Sequence, residues 1–373
     1  MDCDVLVVGG GPAGSTCARA LRSQGIDVCV MDKAVFPRNK VCAGWVTPPV
    51  FESLAIDLDD YAQGRALQPI TGFHTGIIGG DVLETRYGRT VSYGIRRWEF
   101  DHYLIARAGA RLLLGQRLDR LRREGEAWIV NDTIRTPLVV GAGGHFCAVA
   151  RLMGAKPENA QPLVAAQETE FEMTAAQAAA CTVDPEIPEL FFCQDLKGYG
   201  WCFRKGPFLN IGLGREDSHR LSEHVKEFCE FLRATGKVPF DVTEKFQGHA
   251  YLLYRPDARP AVGDGVMLIG DAAGLAYPQS GEGIRPAVES GLMAAQTILE
   301  AQGDYRASRL EGYRHALHAR FGDRARTGVP PYVPRGLKQF LGGKLLTNRW
   351  FTRHVVLDRW FLHADPRPMV ATA

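Results

Sequence analysis

The opening stretch of the chain limits its fold more than any other part. A short apolar run, Asp4 to Val8, passes at once into Gly9, Gly10, Gly11, Pro12, Ala13 and Gly14. A helical stretch from Ser15 to Gln24 follows and stops at Gly25. A second apolar run, Ile26 to Met31, ends on Asp32. Strand, glycine turn, helix, strand and acid in this order form the G-x-G-x-x-G pattern in the context it requires. Gly9 permits the tight turn, Gly11 lets a pyrophosphate approach the backbone, and Gly14 lets the helix lie close on the strand. The first N–H groups of the helix are unpaired and carry partial positive charge, which suits phosphate. Asp32, followed by Lys33, is placed to accept hydrogen bonds from ribose hydroxyls. The expected ligand of Gly9, Gly11, Pro12, Ala13, Gly14, Asp32 and Lys33 is a dinucleotide, without indication of which one.

With 373 residues, the chain is long enough for a large core and one to three domains. Its formal net charge of +2 gives no signature of a nucleic-acid partner. The charge is uneven, because residues 301–373 hold thirteen Lys/Arg against five Asp/Glu. Nine cysteines without a C-x-x-C pair argue against a disulfide framework and fit a reducing, cytoplasmic setting. No signal peptide is expected, and no apolar run reaches the ~18 residues that a membrane span needs. His74, His102 and His145 are dispersed, so no metal is assigned. No Ser-His-Asp arrangement is signalled either.

Residues 66–95 and 161–249 read as β-rich. Gln167-Glu168-Thr169-Glu170-Phe171-Glu172 alternates as a half-buried strand should. Helices are expected over Phe51 to Leu58, Arg96 to Ala110, Ser218 to Thr235 and Gly283 to Ala301. Strands are expected at Leu118 to Leu121 and in a hairpin around Asn131-Asp132. The remainder reads as helical, broken at Pro330, Pro331 and Pro334. The expected fold class is α/β (α+β). A discontinuous Rossmann-like FAD-binding domain would use residues 1–65, 96–160 and 250–300. A β-rich substrate domain would use 66–95 and 161–249, and a C-terminal helical segment 301–373. Such a layout points to a flavoprotein with an interdomain cavity.

A second glycine and acid motif strengthens this. Leu268-Ile269-Gly270-Asp271 ends a strand on a carboxylate, and Pro278-Gln279-Ser280-Gly281-Glu282-Gly283 leads into a helix at Ile284. That helix N-terminus would favour negative charge on a reduced flavin. Gly270, Asp271, Gly281, Gly283 and Ile284 are therefore candidate cofactor residues.

With Arg97 and the nearby Phe100-Asp101, these motifs resemble the FAD family built like the aromatic hydroxylases. The resemblance covers residues 1 to about 300. It implies that Arg97 contacts FAD and that Asp271 binds its ribityl or pyrophosphate region. Two further stretches resemble the geranylgeranyl reductases within that superfamily. Pro37-x-x-x-x-Cys42-Ala43-Gly44 is similar to their P-x-x-x-x-C-G-G loop. Tyr199-Gly200-Trp201-Cys202-Phe203-Arg204, seven residues, then Gly212-Leu213-Gly214 is similar to their Y-x-W-x-F-P-x(7–8)-G-x-G motif. Ala43 and Arg204 depart from it, standing where the family has glycine and proline. The resemblance implies a cysteine near the flavin ring and aromatic residues beside a substrate tunnel.

Cys42 is a candidate proton donor or flavin modulator, with a small buried packing residue as the bland alternative. Tyr199, Trp201, Phe203 and Arg204 are candidate substrate contacts, against generic core aromatics. The expected reaction is reduction of a carbon–carbon double bond in a prenyl or similarly apolar molecule by hydride from reduced FAD. A flavin monooxygenase acting on an aromatic substrate, even a protein side chain, is the main rival. A non-catalytic electron carrier or maturation factor is a third class. NAD(P)H is the expected electron donor, with a reductase or ferredoxin partner as the alternative. Near the C-terminus, Trp350, Phe351, Val355, Val356, Trp360 and Phe361 lie beside Arg349, Arg353 and Arg359. Docking of this face on the core is expected, with peripheral membrane contact as the alternative.

Overall fold

The computed structural model describes residues 1–155, 163–217, 219–255, 259–322, 343–364 and 369. Val5–Val8 is buried on both faces because it lies inside a six-stranded sheet. The strand order is Val262–Gly263, Val266–Leu268, Leu138–Gly141, Val5–Val8, Val28–Asp32, Arg111–Leu114. Every neighbouring pair is parallel except the edge hairpin 262–268. Continuous apolar strands are what a two-sided parallel sheet demands.

One face of this sheet carries the helices Pro12–Ser23 and Ile284–Ala301, which share a core with Val5, Val7, Val28 and Val140. They can approach closely because Gly291 has no side chain: a Cβ there would lie 2.6 Å from the Ala13 carbonyl oxygen. The opposite face is covered by a small sheet of Leu121–Glu124, Ala127–Val130 and Ile134–Thr136. Asn131 and Asp132 both take left-handed backbone angles at its turn, as the hairpin reading required.

A second sheet has seven strands, ordered Gln247–Leu252, Leu163–Glu172, Phe208–Arg215, Gly198–Lys205, Glu189–Phe192, Gly72–Ile77, Val82–Arg86. It is antiparallel apart from the pairing of 189–192 with 72–77. The amphipathic helix Leu221–Ala234 covers one face. Its Phe228 occupies the space over Gly200, where a Cβ would lie 2.8 Å from the ring. A third, short sheet joins Trp45–Val46 to Ser92–Ile95 and Leu67–Ile70.

Two local expectations change. Phe51 to Leu58 is not one helix but parts of two, Pro48–Ser53 and Leu58–Ala62. Ala55 turns left-handed between them, and the Asp57 carboxylate caps the second by accepting the Asp60 N–H at 2.9 Å. The strand expected at Leu118 to Leu121 instead runs Leu121–Glu124, set by its hairpin with Ala127–Val130 around Gly125. The proposed breaks at Pro330, Pro331 and Pro334 lie outside the described residues.

The C-terminal face divides. Val356 and Phe361 are buried against the seven-stranded sheet, and Phe361 stacks on Trp45 with centroids 5.5 Å apart. Tyr87 donates to Asp358 at 2.6 Å and holds the segment down. Trp350, by contrast, is 65% exposed. Among the described residues no helix is long and apolar enough to cross a membrane.

Candidate active site

A cavity of about 750 Å³ runs between the two large sheets. At one end stand Gly9, Gly11, Pro12, Ala13, Asp32 and Lys33 with Arg117, Phe146 and Arg151. At the middle are Arg38, Lys40, Arg97, His249 and Asp271. At the other end Cys42, Trp45, Tyr199, Trp201, Tyr251 and Phe361 meet the Ser280 to Ile284 turn.

The glycine turn is built as its motif requires. A Cβ on Gly9 would lie 2.3 Å from the Ala142 oxygen, and one on Gly14 would lie 1.9 Å from the Gly9 oxygen. A Cβ on Gly11 would meet only the Arg38 guanidinium, at 3.5 Å, so the backbone there is open to the cavity. Gly14 is thus a packing residue outside the lining. Asp32, expected at a ribose, braces the glycine turn. Its two oxygens accept the Gly10 and Ala34 N–H groups, each at 2.8 Å, which fixes the turn itself.

Two helices start at this cavity, Pro12–Ser23 and Ile284–Ala301, and neither N-cap carries a side-chain hydrogen bond. Their orphan N–H groups and positive dipole ends are available to an anionic ligand. Gly281 adopts φ +69°, and Tyr251 fills the place of a side chain there: its hydroxyl would lie 2.1 Å from a Cβ. Tyr199 donates to the Ser280 carbonyl at 2.6 Å, tying this turn to the seven-stranded sheet. Gly270 lies off the lining, where its missing Cβ lets the Asp271 turn approach Ala13.

Arg97 and Arg38 share one buried partner. Arg97 binds Asp101 in a fork, with Nε–Oδ1 2.7 Å and Nη2–Oδ2 2.8 Å, and Arg38 Nη2 reaches Oδ2 at 3.1 Å. Burial opposes the charge on Arg97, but Asp101 and Cys42 outweigh it and raise its pKa. Sequence reasoning missed a further pair, because it joins residues far apart in the chain: Lys40 Nζ lies 2.7 Å from His249 Nε2. Burial, then the nearby Arg97, lowers the Lys40 pKa to about 8. Burial and Lys40 lower that of His249 to about 3, so the imidazole is a neutral acceptor.

The sequence-predicted substrate residues separate by strand face. Along Gly198–Lys205, Tyr199, Trp201 and Phe203 point one way and Arg204 the other. Tyr199 and Trp201 line the cavity. Phe203 sits one layer behind, with its ring 5.7 Å from Trp45. Arg204 faces away, toward the Cys181 carbonyl at 3.3 Å, and does not join the cavity wall. Lys205, 1% exposed, binds Glu170 at 2.7 Å.

The long motif is a hairpin seen in sequence. Trp201 pairs with Gly212, and Gly212 pairs with Glu168 on the next strand. The Trp201 indole lies across Gly212, where a Cβ would be 2.3 Å from Cζ2, and its Nε1 donates to Asn210 Oδ1 at 2.8 Å. Glu168 and Asn210 were not singled out from the sequence. Strand alternation carried the only hint, since Glu168 and Glu170 share a face with Ala166, a lining residue. Among the described residues no group of three or more His, Cys, Asp or Glu is placed to hold a metal ion.

An extended dinucleotide fits this cavity. Gly11 leaves backbone open, two uncapped helix starts face inward, and Lys40, Arg38 and Arg97 supply positive charge between them. An anion bound there would hold Lys40 protonated. The affinity of the apoprotein for FAD should then fall as pH rises past about 8, because free Lys40 loses its proton and bound Lys40 keeps it. Titration between pH 7 and 9 checks this. A flat profile would contradict it, while Lys40→Met should flatten it and weaken binding at pH 7.

Residues 2–56 match the family described as FAD binding domain. The chain is 28% identical over 319 residues to digeranylgeranylglycerophospholipid reductase of Methanocaldococcus jannaschii, covering 80% of this chain and 77% of that protein. It is 29% identical over 318 residues to geranylgeranyl diphosphate reductase of Rhodobacter capsulatus, covering 80% and 75%. Its fold matches a geranylgeranyl bacteriochlorophyll reductase-like protein from Thermoplasma acidophilum, with a TM-score of 0.76 at 22% identity, over 92% of this chain and 87% of that one.

Proposed function

We propose that this chain, an FAD-dependent oxidoreductase of the geranylgeranyl reductase family, saturates carbon–carbon double bonds in the prenyl chain of a lipid. The observation that carries the reading is the continuity of one cavity: a dinucleotide cradle at one end opens onto Cys42 and an aromatic wall at the other. Reduced FAD supplies the hydride equivalent, with NAD(P)H as the proposed source of electrons.

The protein's part is orientation, exclusion of water and proton supply. Trp45, Tyr199, Trp201 and Phe361 give the far end an aromatic surface suited to an isoprenoid. An isolated alkene is a poor hydride acceptor, so a proton must arrive early and water must stay out. Cys42 is the proposed donor. Its thiol lies within reach of the Arg97 guanidinium, which can stabilise the thiolate left behind. A peripheral seat at the membrane goes with such a substrate, and exposed Trp350 and Leu345 beside Lys344, Arg349 and Arg353 are suited to it.

Reduced holoprotein mixed with a geranylgeranyl lipid tests the reading by flavin absorbance. Reoxidation without oxygen is the expected result. Reoxidation only in air, whatever lipid is added, would contradict it.

A further inference from the structure

Behind the aromatic wall lies a polar group that the reaction as described does not use. Glu168 is 5% exposed and Asn210 is fully buried. Glu168 Oε1 accepts the Cys42 N–H at 2.6 Å. Asn210 Nδ2 donates to the Cys42 carbonyl at 3.2 Å and to Glu168 Oε2 at 3.3 Å. The same Asn210 receives the Trp201 indole N–H at 2.8 Å. Two side chains from adjacent strands therefore hold both polar groups of one residue in the cysteine loop, and also fix the indole of the hairpin. The loop and the hairpin are otherwise distant in sequence.

We infer that Glu168 and Asn210 are positioning residues, which lock the Cys42 loop and the Trp201 indole into one rigid wall facing the reacting chain. The inference rests on the reading of Cys42 and Trp201 as reaction-site residues. The geometry explains a costly arrangement. A carboxylate and an amide are kept from water, and such groups are retained only where their partners are complete. Gly212 completes the device, because its missing Cβ leaves room for the Trp201 indole beside Glu168.

Charge makes the clamp responsive to pH. Burial raises the Glu168 pKa to about 7, against the Cys42 N–H, Lys205 and Asn210, which favour the anion, and with Glu170, which disfavours it. Glu170 is itself held by Lys205 and by Arg96 Nε at 3.0 Å. The anion is the better acceptor for the Cys42 N–H. The clamp is accordingly tightest above about pH 7 and loosens below it.

The test uses the FAD-loaded protein in a Cys229→Ser background, since Cys42 and Cys229 are the cysteines that are not buried. Alkylation of Cys42 by iodoacetamide reads loop freedom without any prenyl substrate. Glu168→Gln keeps the shape and one acceptor but turns an amide N–H toward Asn210. It should raise the alkylation rate at pH 8 by at least about three-fold. It should also lower kcat about ten-fold or more with KM little changed, and remove the turnover inflection near pH 7. Asn210→Ala should do the same to alkylation and kcat, and carries the test should Glu168→Gln not fold. Unchanged alkylation in both folded variants would overturn the clamp. So would a rise in KM alone, or a pH profile that keeps its inflection in Glu168→Gln. Because alkylation needs no substrate, failure of the prenyl reading would leave the clamp standing, and the reverse holds too.

Discussion

Asp101→Ala should lower the unfolding free energy by about 3–5 kcal/mol, the usual cost of removing one member of a buried ion pair. Asp101 is fully buried and faces two guanidiniums, Arg97 in a fork and Arg38 at 3.1 Å. Without it Arg97, 9% exposed, keeps a charge that has lost its strongest support. Both arginines line the middle of the cavity, so FAD retention should fall with stability. Asp101→Asn keeps the shape and one acceptor and should cost less. Denaturant unfolding followed by far-UV signal measures the difference. A loss below about 1 kcal/mol would show that the site is open enough for water to solvate the arginines.

Gly212→Ala should damage the reaction more than the fold. The added methyl would sit 2.3 Å from Cζ2 and 2.6 Å from Cε2 of Trp201. It would also sit 2.8 Å from the Glu168 Cβ on the neighbouring strand, so the paired backbone must give slightly while the indole, a side-chain end, moves furthest. Its 2.8 Å bond to Asn210 is then lost and the aromatic wall shifts. Displacement of about 1 Å at a reacting site can cost about 100-fold in turnover, and an effect of that order is expected here. FAD content should stay unchanged, because Gly212 is remote from the glycine turn. Gly214→Ala is the control: its Cβ would meet only ordinary contacts, the nearest at 3.6 Å, and should cost little.

These two predictions mark what the sequence could and could not reveal. Gly9 to Gly14, Asp32 and Asp271 were legible because their chemistry is local: a strand, a turn and a helix start lie within a few residues of each other. The Trp201 to Gly212 spacing was legible as a motif, and its cause, a hairpin that sets indole over glycine, emerged only with register. Strand alternation alone would have separated Arg204 from Trp201, since odd and even positions face opposite ways. Lys40 with His249, and Cys42 with Glu168 and Asn210, were not legible. Each joins residues more than a hundred positions apart, and no periodicity relates them. Asp32 shows a subtler limit, since the same carboxylate is expected at a ribose and found bracing the turn.

The C-terminal segment followed the same rule. Its apolar face was visible, but only packing divides Val356 and Phe361, buried against the sheet, from exposed Trp350. Phe361 then becomes part of the cavity wall, a role that no local pattern announces.

The most direct measurement is a single turnover without oxygen, with reduced holoprotein, a geranylgeranyl lipid and mass analysis of the recovered lipid. The account predicts a product with two more hydrogens for each bond reduced and no added oxygen. A product that carries an oxygen atom and forms only in air, or lipid recovered unchanged while the flavin stays reduced, would contradict it.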